Sequence, residues 1–242
     1  MIHSASDPAG EDPAVTSTQR DPGALPSGIY PRLLKPACDR IFALATITAC
    51  APLFVLLGIW VALDSPGGAF YHQSRVGRNG RPFRLHKFRS MVTGAEAKGA
   101  GALVERHDAR VTRAGRFLRA TSLDELPQLF NILKGEMSLI GPRPTLQYQV
   151  DQYDDFQRRR LLVKPGLTGL AQVRGRKSLP WPERIRADVE YVETVSPWVD
   201  LSILIRTPFA LFGGEGQASS DPWKSRTEGQ AESDHWSKRS QE

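Results

Sequence analysis

The sequence predicts a mainly helical α+β fold fastened to one face of a membrane, and three observations carry that expectation. Residues 41–63, IFALATITACAPLFVLLGIWVAL, form an apolar run without a charged side chain, long enough to cross a bilayer. Pro52 stands at the middle of that run. Beyond it, two short strand-like runs give way to stretches of helical periodicity. The chain therefore reads as a monotopic membrane protein with a re-entrant, Pro-kinked N-terminal helix, a small β element and amphipathic helices at the interface.

A secretory signal fits the apolar run poorly, because about forty polar and Pro-rich residues precede it where a signal peptide places a short basic region. Arg32, Lys35 and Arg40 lie before the run, and Arg75, Arg78, Arg81, Arg84, Lys87 and Arg89 lie after it. Both flanks thus carry the positive charge of cytoplasmic loops. Pro52 removes a helical hydrogen bond and bends the chain. The segment is expected to enter the membrane, turn at Ala51-Pro52 and leave on the side it entered. A kinked spanning helix and a buried soluble helix are the alternatives.

Composition places ordered structure between residues 31 and 212. Residues 1–30 and 213–242 are rich in Pro, Gly, Ser and acidic side chains and lack apolar periodicity, so they read as a disordered extension and a disordered tail. The net charge of the 242 residues is +6, but both ends are acidic and the middle carries 27 basic against 16 acidic side chains. That middle faces anions, which charge alone leaves open as lipid headgroups, phosphorylated substrates or nucleic acid. Few aromatics lie among the basic residues, and no helix-turn-helix, zinc-finger or RNA-binding signature is present, so nucleic acid is the weakest of the three. Cys38 and Cys50 show neither metal-ligand spacing nor a disulfide framework, and are expected to be reduced packing residues.

Residues 69–73 and 81–88 read as strands about Arg78-Asn79-Gly80. Helices are expected around 113–118, 123–133, 148–162 and 181–194. The apolar stretch 201–212 is too short to span, and suits either the bilayer interface or a position packed on the other helices.

Asp124 and Glu125 are the most informative pair. Ser122 and Glu125 fit a capping box, with Leu126, Leu129, Phe130 and Leu133 as the buried stripe of a short helix that Gly135 stops. Capping needs one acid, and here there are two. Adjacent carboxylates repel, and a cation, a proton or a phosphoryl group would reconcile them. Mg²⁺ suits such a place, since it binds one or two carboxylates and completes its shell with phosphate and water. A helix N-terminus would also keep Asp124 ionised and so nucleophilic. Arg143 has prolines on both sides, which limit where its phosphate-sized fork can point. His3, His72, His86, His107 and His235 show no pairing with a Ser or Cys nucleophile and no metal spacing. Asp108 reads as half of a local ion pair and Asp200 as a cap for the helix after it.

Taken in order, these motifs resemble a known family. Lys87-Phe88-Arg89-Ser90-Met91, Arg113-Ala114-Gly115-Arg116-Phe117-Leu118-Arg119, residues 121–135, Gly141-Pro142-Arg143-Pro144 and Lys164-Pro165-Gly166-Leu167-Thr168-Gly169-Leu170-Ala171-Gln172-Val173 carry the resemblance, together with the Pro-centred apolar segment. The family is the bacterial sugar transferases of the monotopic phosphoglycosyl transferase superfamily, in their small, catalytic-domain-only form, and the likeness covers about residues 35–212. It implies a catalytic domain over residues 31–212 that transfers a sugar 1-phosphate from a UDP-sugar to undecaprenyl (polyprenyl) phosphate and releases UMP. The place implied is the cytoplasmic leaflet of the bacterial inner membrane, at the committing step of exopolysaccharide, capsule or O-antigen assembly.

By that resemblance Asp124 is the nucleophile of a ping-pong cycle, and Asp124 and Glu125 hold Mg²⁺. Lys87, Arg119, Pro142, Arg143, Pro144 and Arg176 would bind substrate. Downstream glycosyltransferases or a second copy are the protein partners it allows. Two departures stand out: Leu170 replaces a Trp, and Ala51 replaces the Ser whose hydroxyl would satisfy a carbonyl freed by the bend. A non-enzymatic scaffold and a lipid phosphatase using the same acid pair are the competing functions, but the scaffold leaves the motif series unexplained. No motif marks the sugar.

Overall fold

The apolar segment folds as two helices that meet at an angle. The computed structural model describes residues 27–95, 108–175 and 178–212. A π-helical turn, Tyr30–Leu34, leads into α1 (Lys35–Ala49), and α2 (Ala51–Asp64) follows at a bend of 67°. Cys50, at φ −93° and ψ 7°, carries the break. Pro52 lies in the first turn of α2, where its missing N–H leaves no helical bond unmade. The bend therefore falls beside the Ala51-Pro52 pair, as the sequence led us to expect. Among the described residues no single helix is long and apolar enough to cross a membrane, although the bent pair passes that test together. Cys38 is exposed, so packing does not account for it.

Both ends of this bent pair are tied to the rest of the protein. At its start, Lys35 Nζ lies 2.8 Å from Asp200 Oδ2 and 3.8 Å from Asp39 Oδ1. The Tyr30 hydroxyl donates to Asp200 at 2.6 Å, and the Ser138 hydroxyl to Asp39 at 2.5 Å. The π-helical turn Tyr30–Leu34 is thus fastened through Tyr30 to the helix Pro197–Phe212. Asp200 is buried within a helix and holds this junction rather than acting as a cap.

At the other end, the Arg89 guanidinium donates to the carbonyls of Val61, Ser65 and Pro66, placing a cation on the C-terminus of α2. Gly67 has φ +120°, and a Cβ there would collide with that guanidinium and with the Thr93 hydroxyl. Asp64, the last residue of α2, accepts from the Ala114 amide at 2.9 Å and so also holds the next helix.

Strands β1 (Phe70–Val76) and β2 (Pro82–Phe88) form an antiparallel hairpin in the register Tyr71↔Lys87, Gln73↔Leu85, Arg75↔Phe83. Alternation puts these six side chains on one face. Asn79 and Gly80 take positive φ in the connection, which is why the turn needs those residue types. Helix α3 (Arg113–Thr121) starts at Thr112, whose hydroxyl accepts from the Gly115 amide at 3.0 Å.

The capping box expected at Ser122 does not form. Ser122 lies at φ 59°, ends α3 and caps nothing with its side chain. The single helix expected over 123–133 is a 3₁₀ turn, Leu123–Glu125, followed after Pro127 by α4 (Gln128–Lys134). Gly135 stops α4 at φ 82°, as expected.

Asn131 of α4 plays the part of a neighbouring strand for β2. Its Oδ1 accepts from the His86 amide at 3.1 Å, and its Nδ2 donates to the Arg84 carbonyl at 2.8 Å and to Glu136 at 2.7 Å.

A parallel pair, β3 (Ser138–Ile140) and β4 (Gly166–Thr168), was not expected from sequence, being three residues per strand. Between them, the helix expected over 148–162 is broken into α5 (Gln147–Val150), α6 (Asp155–Arg158) and a 3₁₀ turn, Arg159–Leu162. Asp154 causes the restart, since it accepts from the Gln157 amide at 2.8 Å while the Gln157 side chain accepts from the Asp154 amide at 3.2 Å. Helices α7 (Leu170–Arg174), α8 (Trp181–Thr194) and α9 (Pro197–Phe212) complete the described chain.

Leu57 and Val61 of α2 pack with Phe88, Ala114 and Leu118, and Ala43 of α1 packs with Leu85, Leu129, Ile132 and Met137. The bent pair is thus built into the core. Its outer face stays apolar and exposed at Val55, Leu56, Ile59 and Leu63, as does that of α9 at Trp198, Ile205 and Phe209.

Replacing Asn131 by Leu keeps the volume but strips partners from the His86 amide and the Arg84 carbonyl. At about 1–3 kcal/mol for each buried group left unpaired, the substitution is expected to destabilise the domain by at least about 2 kcal/mol. Thermal unfolding of the purified protein in detergent checks this.

Candidate active site

Three separately built elements converge on Glu125. The 3₁₀ turn after the left-handed Ser122 presents Asp124 and Glu125, β2 presents Lys87, and the turn after β3 presents Arg143. Lys87 Nζ donates to Glu125 Oε1 at 2.8 Å, and Arg143 Nη2 donates to the same oxygen at 2.6 Å. Lys87 Nζ also stands 4.0 Å from Asp124 Oδ2. Asp124 accepts no hydrogen bond among the described residues, so its carboxylate is the unengaged one of the pair.

The two acids occupy different electrostatic states. Burial works against ionisation of Glu125, but Arg143 and Lys87 outweigh it and hold the carboxyl far below the usual range. Burial also raises Asp124, Lys87 opposes the rise, and the neighbouring Glu125 adds to it, so Asp124 titrates above the ordinary aspartate range. No helix starts at this point. The expectation that a helix N-terminus keeps Asp124 ionised is therefore corrected: Lys87, Arg119 and Arg143 supply the favourable field.

The Arg143 turn is fixed by its backbone. Four consecutive carbonyls each accept a hydrogen bond: Pro142 from the Gly166 amide at 2.8 Å, Arg143 from Arg160 at 3.0 Å, Pro144 from Arg75 at 3.2 Å and Thr145 from the Val76 amide at 2.9 Å. With Pro142 and Pro144 restricting the chain on either side, Arg143 has a set place from which to reach Glu125.

Arg75 was not among the residues expected here. It lies on the Lys87 face of the hairpin and lines a cavity with Leu85, Lys87, Gln128, Arg143 and Pro144. Its Nε is buried without a partner, and burial together with Arg143 lowers its guanidinium to about 10, so it stays charged at neutral pH. Period-two alternation from Lys87 across the hairpin was the signal that would have found it. Arg119 adds positive field at Asp124 without a hydrogen bond to it among the described residues, while Arg176 lies outside them. His72 and His86 pair with each other, Nδ1 to Nδ1 at 2.8 Å, on the face of the hairpin away from Lys87. Asp108 forms the local ion pair expected of it, with Arg110 at 2.6 Å.

Four cations thus surround two carboxylates, an excess that suits a polyanionic ligand. Among the described residues no group of three or more His, Cys, Asp or Glu side chains could hold a metal ion by itself. A cation bound at Asp124 and Glu125 would have to draw its other ligands from a substrate phosphate and water, which is the habit of Mg²⁺.

Residues 30–214 match the family model described as bacterial sugar transferase. The chain belongs to the bacterial sugar transferase family. A UDP-glucose:undecaprenyl-phosphate glucose-1-phosphate transferase of Caulobacter vibrioides is 42% identical to this transferase over 198 residues, covering 75% of this chain and 72% of the relative. A UDP-N-acetylgalactosamine-undecaprenyl-phosphate N-acetylgalactosaminephosphotransferase of Aeromonas hydrophila is 40% identical over 198 residues, or 79% of this chain and 46% of the relative. An undecaprenyl-phosphate galactose phosphotransferase of Salmonella typhimurium is 39% identical over 200 residues, or 76% of this chain and 42% of the relative. The transferase thus spans less than half the length of the latter two.

The raised Asp124 carboxyl has a kinetic consequence. Its ionised form is lost as pH falls through that raised value, so a reaction that uses the Asp124 carboxylate is expected to show its acid limb of kcat/KM above the ordinary aspartate range. Lys87→Met removes the neighbour that opposes the rise and should move the limb to higher pH, as a pH–rate profile of both proteins would read.

Proposed function

We propose that this transferase moves a sugar 1-phosphate from a UDP-sugar to undecaprenyl phosphate, on the cytoplasmic face of the bacterial inner membrane. The observation that carries the reading is the partly buried Asp124, free of hydrogen bonds among the described residues, beside a Glu125 already paired with two cations, inside a site whose positive charge exceeds its negative. Asp124 attacks the phosphorus that bears the sugar. The bond from that phosphorus to the UMP oxygen breaks, UMP leaves, and the sugar phosphate stays on the aspartyl oxygen. A phosphate oxygen of the lipid then attacks the same phosphorus, the bond to Asp124 breaks, and the product is the undecaprenyl-diphosphate sugar with the carboxylate restored.

The residues around Asp124 have separate tasks. Arg143 and Lys87, fastened through Glu125, offer donors to the phosphate oxygens, and Arg75 adds charge from the cavity wall. Asp124 and Glu125 are the residues that would hold Mg²⁺, whose chemistry would be to neutralise charge building on the leaving phosphate of UMP.

Bringing a water-soluble nucleotide to a lipid phosphate requires a site at headgroup depth. Phe54 of α2 lies 5.8 Å, centroid to centroid, from both Phe88 and Phe130, and packs against the same buried cluster as Leu126, the residue after Glu125. The acid pair therefore sits at the root of the apolar bent pair. A segment tied to the domain at both ends favours re-entry over spanning, with the exposed apolar face of α9 lying at the interface.

Protein in detergent with Mg²⁺, undecaprenyl phosphate and a panel of UDP-sugars should release UMP with at least one donor, and Asp124→Asn should lower that rate by at least about 10³-fold. Glu125→Gln releases both Lys87 and Arg143 and is expected to cost about 10²-fold in kcat/KM. Folded protein that releases no UMP with any donor would sink the reading.

A further inference from the structure

The most deeply buried ion pair among the described residues lies outside the site. Arg160 and Asp188 have side-chain exposures of 3% and 2%, with an Arg160 Nη2 to Asp188 Oδ2 hydrogen bond between the 3₁₀ turn Arg159–Leu162 and α8. Arg160 Nη1 also donates to the Tyr153 hydroxyl at 2.7 Å. Its Nη2 donates at 3.0 Å to the carbonyl of Arg143.

As a stabilising device this pair is poorly made. Arg160 Nε and Asp188 Oδ1 are both buried without a partner, and a buried ion pair of this sort is often replaced by packed apolar side chains at no loss of stability. What apolar side chains would not replace is the bond to Arg143. The other three carbonyls of the turn are held from the hairpin and from β4. Arg160 ties the catalytic turn to α8 through Asp188, and Ile185 and Val189 of that helix pack with Val76, Val150 and Tyr153.

We infer that Arg160, oriented by Asp188 and Tyr153, is a positioning residue that sets where Arg143 meets Glu125 and the phosphates. The inference rests on the transferase reading for its kinetic arm only. The geometry needs a guanidinium: one face of the fork meets Asp188, and the same terminal nitrogen reaches the Arg143 carbonyl while the other nitrogen reaches Tyr153.

The test compares two backgrounds. Arg160→Met with Asp188→Leu removes both charges and keeps apolar volume, and is expected to fold with its melting temperature little changed. UMP release with the donor that the unaltered protein uses should fall in kcat by at least about tenfold. Placed on Arg143→Ala, the same pair of changes should cost less than about twofold, because the group it positions is gone. Equal losses in both backgrounds, or no loss in either, would overturn the inference and leave the pair a purely structural one. If the double variant fails to fold, Arg160→Lys answers the same question, since it keeps the charge against Asp188 but lacks a second nitrogen for the other two acceptors.

Hydrogen exchange at the Val76 and Gly166 amides, which bond to Thr145 and Pro142, reads the turn without any donor. Faster exchange there in the double variant supports the inference even if no UDP-sugar is turned over, a result that would count against the transferase reading alone. Unchanged exchange overturns it.

Discussion

One carboxylate oxygen, Oε1 of Glu125, accepts from both Lys87 and Arg143 and thereby joins a strand, a 3₁₀ turn and a Pro-bounded loop that share no continuous secondary structure. Charge-assisted bonds at that oxygen hold two cations beside Asp124. Without a carboxylate there, Lys87, Arg75 and Arg143 would stand close together with only Asp124 to offset them. The pairing lets a strongly positive site exist before any anion arrives, and an arriving phosphate meets donors already in place.

That arrangement depends on support from outside the site. The turn bearing Arg143 hangs from four backbone carbonyls, and the turn bearing the acids is fixed by the left-handed stop at Ser122 on one side and Pro127 on the other. Underneath, Leu126 and Phe54 pack against the same buried clusters, so the bent apolar pair shares its core with the turn that bears the acids. A change in how α2 is seated would move the residue next to Glu125.

Much of this was legible in the sequence where local chemistry decides it. The uncharged run with its central proline, the hairpin about Asn79-Gly80, the stop at Gly135 and the family motifs all have short-range causes. The misreadings arose where distant groups take over. Ser122 looked like a helix start, yet the preceding helix uses it as an end. Arg89 read as one more flanking cation, because nothing in its neighbours shows that its partners are carbonyls at Val61, Ser65 and Pro66. Arg160 was invisible for the same reason, Arg75 was marked only by alternation across the hairpin from Lys87, and β3 and β4, at three residues each, are too short to leave a periodic trace. The donor sugar stayed unreadable, and relatives near 40% identity carry names with different sugars.

The ties at the two ends of the bent pair also set an order of events during synthesis. Every group that pins α1 and α2 lies downstream of them: Arg89 and Ala114 at one end, Ser138 and Asp200 at the other. Tyr30 waits for a partner 170 residues later. Synthesis runs from the N-terminus, so the apolar segment is complete before the groups that hold it and meets them one after another as the chain grows. Asp200, which meets both Tyr30 and Lys35, comes last, so the start of the pair is fastened only when nearly all of the described chain has been made.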